Sequence, residues 1–268
     1  MKAVILARGR GTRMRRADEA AVLTEEQVRA ADAGVKAMIP FGRPFLDYVL
    51  SALADAGCRD ICLIVGPEHD GIRRYYDQEA PPQRARVSFA VQEQPRGTAD
   101  ALLAAEAFSG HDPFLVLNSD NYYPVQVFRA LVALDGPGLP AFSSRALVEQ
   151  SNIDPERIAS YALLRISPNG ELEDIVEKPD PAILQSMGSE FFVSMNCWRF
   201  DRSIFEACRR VPVSPRGELE LPLAVRFAVR SMGVRFQVVK FATGVLDLSH
   251  RADIPAVARR LAAVEARP

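Results

Sequence analysis

The sequence predicts an α/β protein built on a doubly wound, mostly parallel sheet. Three observations predict it. Apolar runs at residues 3–7, 61–65, 87–91 and 114–118 show little polar alternation, as strands buried on both faces do. Helical patterns at 45–56, roughly 68–77 and 98–108 alternate with those runs. The first run breaks at once into Arg8-Gly9-Arg10-Gly11-Thr12-Arg13, a loop of small and basic residues at a strand's carboxyl end. Ligands of open α/β sheets bind at such ends, so this loop and the one after Asn118 are where chemistry is expected.

Each element has its own local reason. Residues 15–35 are polar and Ala-rich, and Thr24-Glu25-Glu26-Gln27 reads as a helix start with Thr24 as N-cap and Gln27 closing a capping box. A helix placed there reads either as a lid over a phosphate loop or as a solvated excursion. The second half is less regular. Residues 160–166 and 171–176 flank Ser167-Pro168-Asn169-Gly170, a hairpin turn by composition. Residues 192–200 and 234–241 read as further strands, and 218–230 and 251–265 as helices, the last with Ile254, Val257, Leu261 and Val264 on one face. Residues 137–140 read as a loop too short to separate independent domains, so a single domain over 1–268 is expected.

The formal net charge of −1 gives no electrostatic reason to expect nucleic acid or an anionic membrane as partner. No apolar run approaches the roughly 20 residues that span a bilayer. Arg8 and Arg10 interrupt the N-terminal run too early for a signal peptide, and a cytoplasmic protein is expected. Cys58, Cys62, Cys197 and Cys208 form no CxxC pair and read as small buried thiols. His69, His111 and His250 suggest no chemical role.

The loop after the first strand is not the dinucleotide fingerprint, because Met14 stands where a third glycine would, and no GK[ST] follows to make a Walker loop. Gly9 and Gly11 still let backbone N–H groups approach a phosphate, and the planar fork of Arg13 can bridge two phosphate oxygens. The run Leu6-Ala7-Arg8-Gly9-Arg10-Gly11-Thr12-Arg13-Met14 resembles the opening loop of the sugar-1-phosphate nucleotidylyltransferases, the sugar-nucleotide pyrophosphorylases. Further matches follow in the family's order. They are Lys36-Ala37-Met38-Ile39-Pro40-Phe41-Gly42, Gln92-Glu93-Gln94-Pro95-Arg96-Gly97-Thr98-Ala99-Asp100-Ala101-Leu102, and Asn118-Ser119-Asp120. Glu177-Lys178-Pro179, Ser194-Met195-Asn196-Cys197-Trp198 and Val245-Leu246-Asp247-Leu248 complete the set, which covers nearly the whole chain.

The resemblance implies a Rossmann-like fold of the nucleotide-diphospho-sugar transferase type with a less regular sugar-binding lobe. In it, 1–135 would mainly bind nucleotide, 136–250 would mainly bind sugar phosphate, and 251–268 would be a C-terminal helix. The implied reaction is NTP plus sugar 1-phosphate giving NDP-sugar plus pyrophosphate, with Mg²⁺ as cofactor. A sugar phosphate is already close to doubly ionised at neutral pH, its second pKa being about 6. The nucleophile therefore needs charge neutralisation and in-line positioning on the α-phosphorus rather than a general base. That accounts for motifs holding Arg, Lys and Asp but no catalytic His or Ser.

By the same resemblance Asp120 and Asp247 hold the metal. Arg13 and Lys36 hold the β- and γ-phosphates, and Lys178 holds the phosphate of the acceptor. Glu177 and Asn196 contact its sugar hydroxyls, with Glu190 a weaker candidate for the same task. Leu6, Ala7, Gly9, Gly11, Thr12, Gln92, Gly97 and Thr98 line the nucleotide, and the Gln92 amide has the donor and acceptor needed to read a base edge. Homo-oligomers are common in the family.

Some positions depart from the pattern. Arg8 stands where the family has Ala or Gly, Arg13 and Lys36 are about twice the usual distance apart in sequence, Asn118-Ser119-Asp120-Asn121 replaces Gly-Asp, and Tyr161-Ala162 replaces Tyr-Gly. These departures leave two other readings open: a cytidylyltransferase-like enzyme acting on a non-sugar phosphate or phosphonate, and a non-catalytic sugar-nucleotide-binding homologue.

Overall fold

Alternate residues of the first strand enter different cores, which is how a strand covered on both faces behaves. Ala3, Ile5 and Ala7 join one apolar cluster and Val4 and Leu6 another. The protein is described here by a computed structural model covering residues 1–9, 11–18, 21–180, 182 and 190–268. Arg10 of the phosphate-loop motif lies outside the described residues.

The chain begins β1 (Lys2–Leu6), α1 (Glu25–Ala33), α2 (Phe45–Asp55), β2 (Asp60–Val65), α3 (Asp70–Arg74) and β3 (Arg86–Val91). It continues α4 (Thr98–Leu103), α5 (Glu106–Ser109), β4 (Phe114–Asn118), β5 (Asn121–Tyr122), α6 (Val125–Val132), β6 (Gly138–Ser143), α7 (Ser144–Gln150) and α8 (Pro155–Ile158). The rest is β7 (Ala162–Ile166), β8 (Leu172–Val176), β9 (Phe192–Ser194), β10 (Cys197–Phe200), α9 (Ser203–Arg210), α10 (Leu221–Met232), β11 (Gln237–Phe241), β12 (Leu246–Asp247) and α11 (Asp253–Leu261).

Among the described residues one large sheet runs in the order β3-β2-β1-β4-β10-β6-β9-β7-β8, with β11 also on β6. The stretch β3-β2-β1-β4 is parallel throughout. Beyond β4, β10 pairs antiparallel and opens the less regular lobe, where β11 on β6 is again parallel. One face is covered by α2, through Phe45, Leu46, Val49, Leu50 and Leu53. The other is covered by α4, α9 and α10, through Leu102, Ile204, Phe205, Leu221 and Val225, around the buried Trp198. This two-sided cover is the doubly wound arrangement.

The structure changes several expected elements. β3 is an edge strand and only half buried, with Arg86, Ser88 and Val91 exposed. The helix expected at 68–77 gives way after Arg74 to a single wide turn, Tyr75–Glu79. There the Tyr75 and Tyr76 hydroxyls, on consecutive residues, both donate to the buried Asp47, at 3.1 and 2.8 Å. The helix expected at 98–108 divides into α4 and α5. The strand expected at 192–200 breaks at Asn196, whose left-handed φ of 59° cannot continue a strand. Residues 137–140 are not a loop: Gly138–Ser143 is the buried strand β6, paired with β9, β10 and β11. Its Gly and Pro content argues for a turn locally, and pairing in the sheet overrides it.

The Ser167–Gly170 turn forms as expected, closed by the Gly170 N–H on the Ser167 carbonyl at 3.0 Å. All four cysteines are buried and free. Among the described residues no helix is long and apolar enough to cross a membrane.

Candidate active site

The carboxyl ends of β1, β3 and β4 open into a cavity of about 550 Å³. One wall is the loop after β1. The Ala7 N–H donates to the Ile64 carbonyl at 2.8 Å, which keeps the chain in sheet register up to the first residue of the loop. Gly11 then turns with φ +60°, so close to the insertion that a Cβ would stand 2.1 Å from the Gly34 carbonyl oxygen. Buried Met14 anchors the far side of the loop. Gly9, Thr12 and Arg13 are left facing the cavity, with Arg13 exposed.

The insertion that follows is fastened down. Thr24 caps α1 in the expected capping box with Gln27, and Gly34 ends it. Gln27 Nε2 donates to the Pro40 carbonyl at 3.0 Å, Arg15 Nη2 to the Ala33 carbonyl at 3.0 Å, and Arg251 pairs with Asp32. α1 itself does not line the cavity; Val35, Lys36 and Ala37, which follow it, do. The insertion therefore acts as a bracket that delivers Lys36. Despite its distance in sequence from Arg13, Lys36 Nζ stands 2.8 Å from Asp120 Oδ2.

Asp120 follows β4, where the Ser119 N–H donates to the Leu6 carbonyl and the Leu248 N–H to the Asp120 carbonyl, at 3.2 and 2.8 Å. A two-stranded ribbon, β5 with β12, then sets Asn121 opposite Asp247 and so brings the two aspartates to one place. Asp247 is buried. Its backbone is clamped on both sides by the Asn152 amide, at 2.7 and 2.9 Å. Its Oδ2 accepts from the Tyr161 hydroxyl at 2.6 Å and faces Arg157 Nη2 at 3.2 Å. Its Oδ1 is buried with no hydrogen-bond partner.

Burial, then the nearby Asp120, raises the Asp247 pKa, while Arg157, Ser249 and Tyr161 pull it down. A buried carboxylate oxygen left unsatisfied beside a second carboxylate fits a divalent cation, which takes hard oxygen donors. Among the described residues no third acidic, histidine or cysteine side chain completes a metal cluster. A cation such as Mg²⁺ held by two carboxylates would fill its remaining positions with water and phosphate oxygens.

The opposite wall is built from two further segments. Gln92 Nε2 donates to the Gly97 carbonyl at 3.1 Å and to Asp100 Oδ2 at 2.8 Å, so both amide hydrogens serve the loop's own shape. Gly97 turns with φ +121°, against Leu219, whose carbonyl oxygen would lie 2.4 Å from a Cβ. The Thr98 hydroxyl accepts from the Leu221 N–H at 2.8 Å. The segment docked in this way contributes Arg216, Glu218, Glu220, Leu221 and Pro222 to the cavity, none of them expected from the sequence.

Glu177 and Asn196 line the same space. Burial, and then Glu220, push the Glu177 carboxyl up to about 7, against the pull of Arg216 and Lys178. Two carboxyls and a guanidinium facing one cavity suit a ligand rich in hydroxyls and phosphate oxygens.

A family model described as nucleotidyl transferase matches residues 2–242. The chain belongs to the nucleotidyl transferase family. Among its relatives, a UTP–glucose-1-phosphate uridylyltransferase of Haloferax volcanii is 27% identical over 262 residues, covering 97% of this chain and 96% of the relative. A glucose-1-phosphate thymidylyltransferase of Neisseria meningitidis is 27% identical over 252 residues, covering 92% and 77%. A solved structure of UDP-glucose pyrophosphorylase complexed with UDP-glucose shares the fold at a TM-score of 0.73 and 20% identity, covering 97% of this chain and 98% of that one.

In this nucleotidyl transferase, most residues singled out from the sequence converge. Leu6, Ala7, Gly9, Gly11, Thr12, Arg13, Lys36, Gln92, Gly97, Thr98, Asp120, Glu177 and Asn196 all line the cavity. Asp247 lies buried behind Asp120. Lys178 is exposed and outside the lining, on a left-handed backbone of φ 45°. Glu190 is also outside it, exposed, and accepts from the Ser143 hydroxyl at 2.8 Å. Tyr161 donates its hydroxyl to Asp247. Sequence reasoning passed over Asn152 and Arg157, which carry no motif; their role follows from distance in space alone.

Proposed function

We propose that this family member is a Mg²⁺-dependent sugar-1-phosphate nucleotidylyltransferase. It joins an NTP and a sugar 1-phosphate to give an NDP-sugar and pyrophosphate by in-line attack on the α-phosphorus. The observation that carries this reading is the meeting of Lys36, Asp120 and Asp247 at the carboxyl end of β4, between a glycine-bearing phosphate loop and a wall of Glu177 and Asn196.

In this reading Gly9, Gly11 and Thr12 present backbone groups to the triphosphate, and Arg13 and Lys36 hold its β- and γ-phosphates and the departing pyrophosphate. Leu6, Ala7, Gln92, Gly97 and Thr98 form the base and ribose wall. Lys178 turns inward onto the acceptor phosphate, and Glu177 and Asn196 take its hydroxyls. Asp120 and Asp247 would hold the cation, which when bound neutralises phosphate charge in the transition state. The acceptor dianion attacks unaided, because no proton has to leave it.

The relatives' names favour UTP or dTTP as nucleotide and glucose 1-phosphate as acceptor. The buried free thiols and the lack of a membrane-crossing helix among the described residues support a cytoplasmic location. The test is product identification by mass spectrometry across five NTPs and a panel of sugar 1-phosphates. An NDP-sugar formed from one preferred pair supports the reading. Product from a polyol phosphate or phosphonate, with none from any sugar 1-phosphate, overturns it.

A further inference from the structure

Arg8 is the departure that the motif leaves without a task, and its surroundings are specific. It lies two residues past the end of β1 and lines the cavity with Leu6, Ala7, Gln92 and Pro95. Its guanidinium grips Glu68 with two parallel hydrogen bonds, Nε to Oε1 at 3.1 Å and Nη2 to Oε2 at 3.2 Å. Its Nη1 donates to the Gln92 backbone carbonyl. The guanidinium is therefore strung between the loop after β2 and the end of β3, strands on the opposite side of β1 from β4, which Asp120 follows. Only a tenth of the Arg8 side chain is exposed, against 55% for Glu68. Gly66 leaves the room for this pair, since a Cβ there would stand 2.4 Å from Arg8 Nε and 2.2 Å from Glu68 Oε2.

Two consequences follow from this geometry. Glu68 balances the charge of Arg8, and Arg8 in turn holds the Glu68 carboxyl below its usual range. A guanidinium already paired in this way is a weaker phosphate ligand than exposed Arg13. The three hydrogen bonds also leave one N–H on each terminal nitrogen without a partner among the described residues. Unspent donors on a guanidinium held by three hydrogen bonds suit a carbonyl oxygen.

We propose that Arg8 is a base-selecting residue that donates to an exocyclic carbonyl oxygen of the nucleobase and so favours a keto base such as uracil or thymine over adenine, which has none. Glu68 is a positioning residue that aims the guanidinium. A site built to donate rejects the analogue that cannot accept, because the donors are then left buried and unpaired. The inference rests on the nucleotidylyltransferase reading and deepens it.

The experiment measures kcat/KM for UTP, dTTP and ATP at saturating glucose 1-phosphate in the wild type, Arg8→Ala, Arg8→Lys and Glu68→Gln. Calorimetric binding of UTP and ATP without acceptor runs alongside, and circular dichroism checks folding. The wild type is expected to prefer UTP to ATP. Arg8→Ala is expected to lower that preference about tenfold or more, mostly through KM and binding, as losing one good base contact does. Arg8→Lys and Glu68→Gln are expected to lower it less, and they report even if Arg8→Ala fails to fold.

A wild type that binds ATP as well as UTP overturns the inference. So do variants that weaken both nucleotides alike and leave the ratio within twofold, which is the behaviour of a phosphate clamp. A wild type that binds UTP selectively yet forms no NDP-sugar contradicts the proposed reaction instead, and leaves the base selection standing.

Discussion

The two walls of the cavity are held by different kinds of interaction. The wall proposed for the nucleotide, residues 6–9, 11–13 and 92–98, is set largely by backbone. Ala7 continues the sheet register, Gly11 touches Gly34, and Gly97 sits against Leu219. Gln92 spends both amide hydrogens on the wall itself, on Gly97 and Asp100. The wall proposed for the acceptor and cation is set by charged side chains whose charge is unsettled. Asp247 has a buried oxygen without a partner and a raised pKa, and Glu177 is pushed up to about 7. A wall shaped by backbone is complete before a ligand arrives. A wall of crowded carboxyls becomes comfortable only when a cation, a phosphate and hydroxyl groups arrive to satisfy it.

The comparison breaks most sharply at the aspartates. Asp120→Ala and Asp247→Ala are each expected to cut kcat roughly a hundredfold or more, the scale of a lost cation site. Far-UV circular dichroism should stay unchanged. Near-normal turnover of either variant in Mg²⁺ would remove both the metal role and the contrast between the walls.

Gly97→Ala tests the other wall. It forces a side chain onto a φ of +121° and into the Leu219 carbonyl. The expected result is a KM for NTP raised about tenfold and a lower melting temperature, with kcat much less affected, since strained positions of this kind cost about 1–3 kcal/mol. A kcat loss with NTP binding intact would show that the two walls are not separable.

Smaller effects sharpen the picture. Tyr161→Phe removes the 2.6 Å bond to Asp247. It is expected to lower kcat by about fivefold, the ~1 kcal/mol of one typical hydrogen bond. Lys178→Ala is expected to raise the KM for sugar phosphate and leave that for NTP unchanged. An effect on NTP instead would move Lys178 off the acceptor side.

Glu177→Gln should be the mildest and is read through pH. The folded pKa of Glu177, about 7, lies above the ordinary glutamate value of 4.5, so between those values the folded state holds more protons than the unfolded one. Stability of the free enzyme should therefore fall as pH rises from about 4.5 to 7, and level off above that. Glu177→Gln should flatten that slope when thermal melts are taken across the range. A slope unchanged in the variant would assign it to another group.

The sequence and the structure agree best where local pattern and burial say the same thing. β1, β2 and β4 are apolar runs covered on both faces, and the periodicity of α2 leaves its apolar side on the sheet. The disagreements have physical causes. β6 carries Gly138 and Pro140 and becomes a strand only because β11 and β10 pair with it, a long-range fact that local composition does not contain. Asn196 splits β9 from β10 by a left-handed residue, a conformation that asparagine tolerates but does not announce.

At the site, the residues carried by motifs, such as Lys36 and Asp120, were legible. Arg157, Asn152, Arg216 and Glu220 were not, because each reaches the site from a segment with no motif of its own. Lys36 shows the reverse case. Its spacing from Arg13 is about twice the family's usual, and α1 with its caps absorbs the extra length and returns it to Asp120.

The most direct test of the account is pyrophosphate release from the wild type with UTP or dTTP, glucose 1-phosphate and Mg²⁺, each omitted in turn. The account predicts release only when nucleotide, sugar phosphate and cation are all present, with the NDP-sugar formed in equal amount. Release without the sugar phosphate, or undiminished release after the cation is chelated, would contradict it.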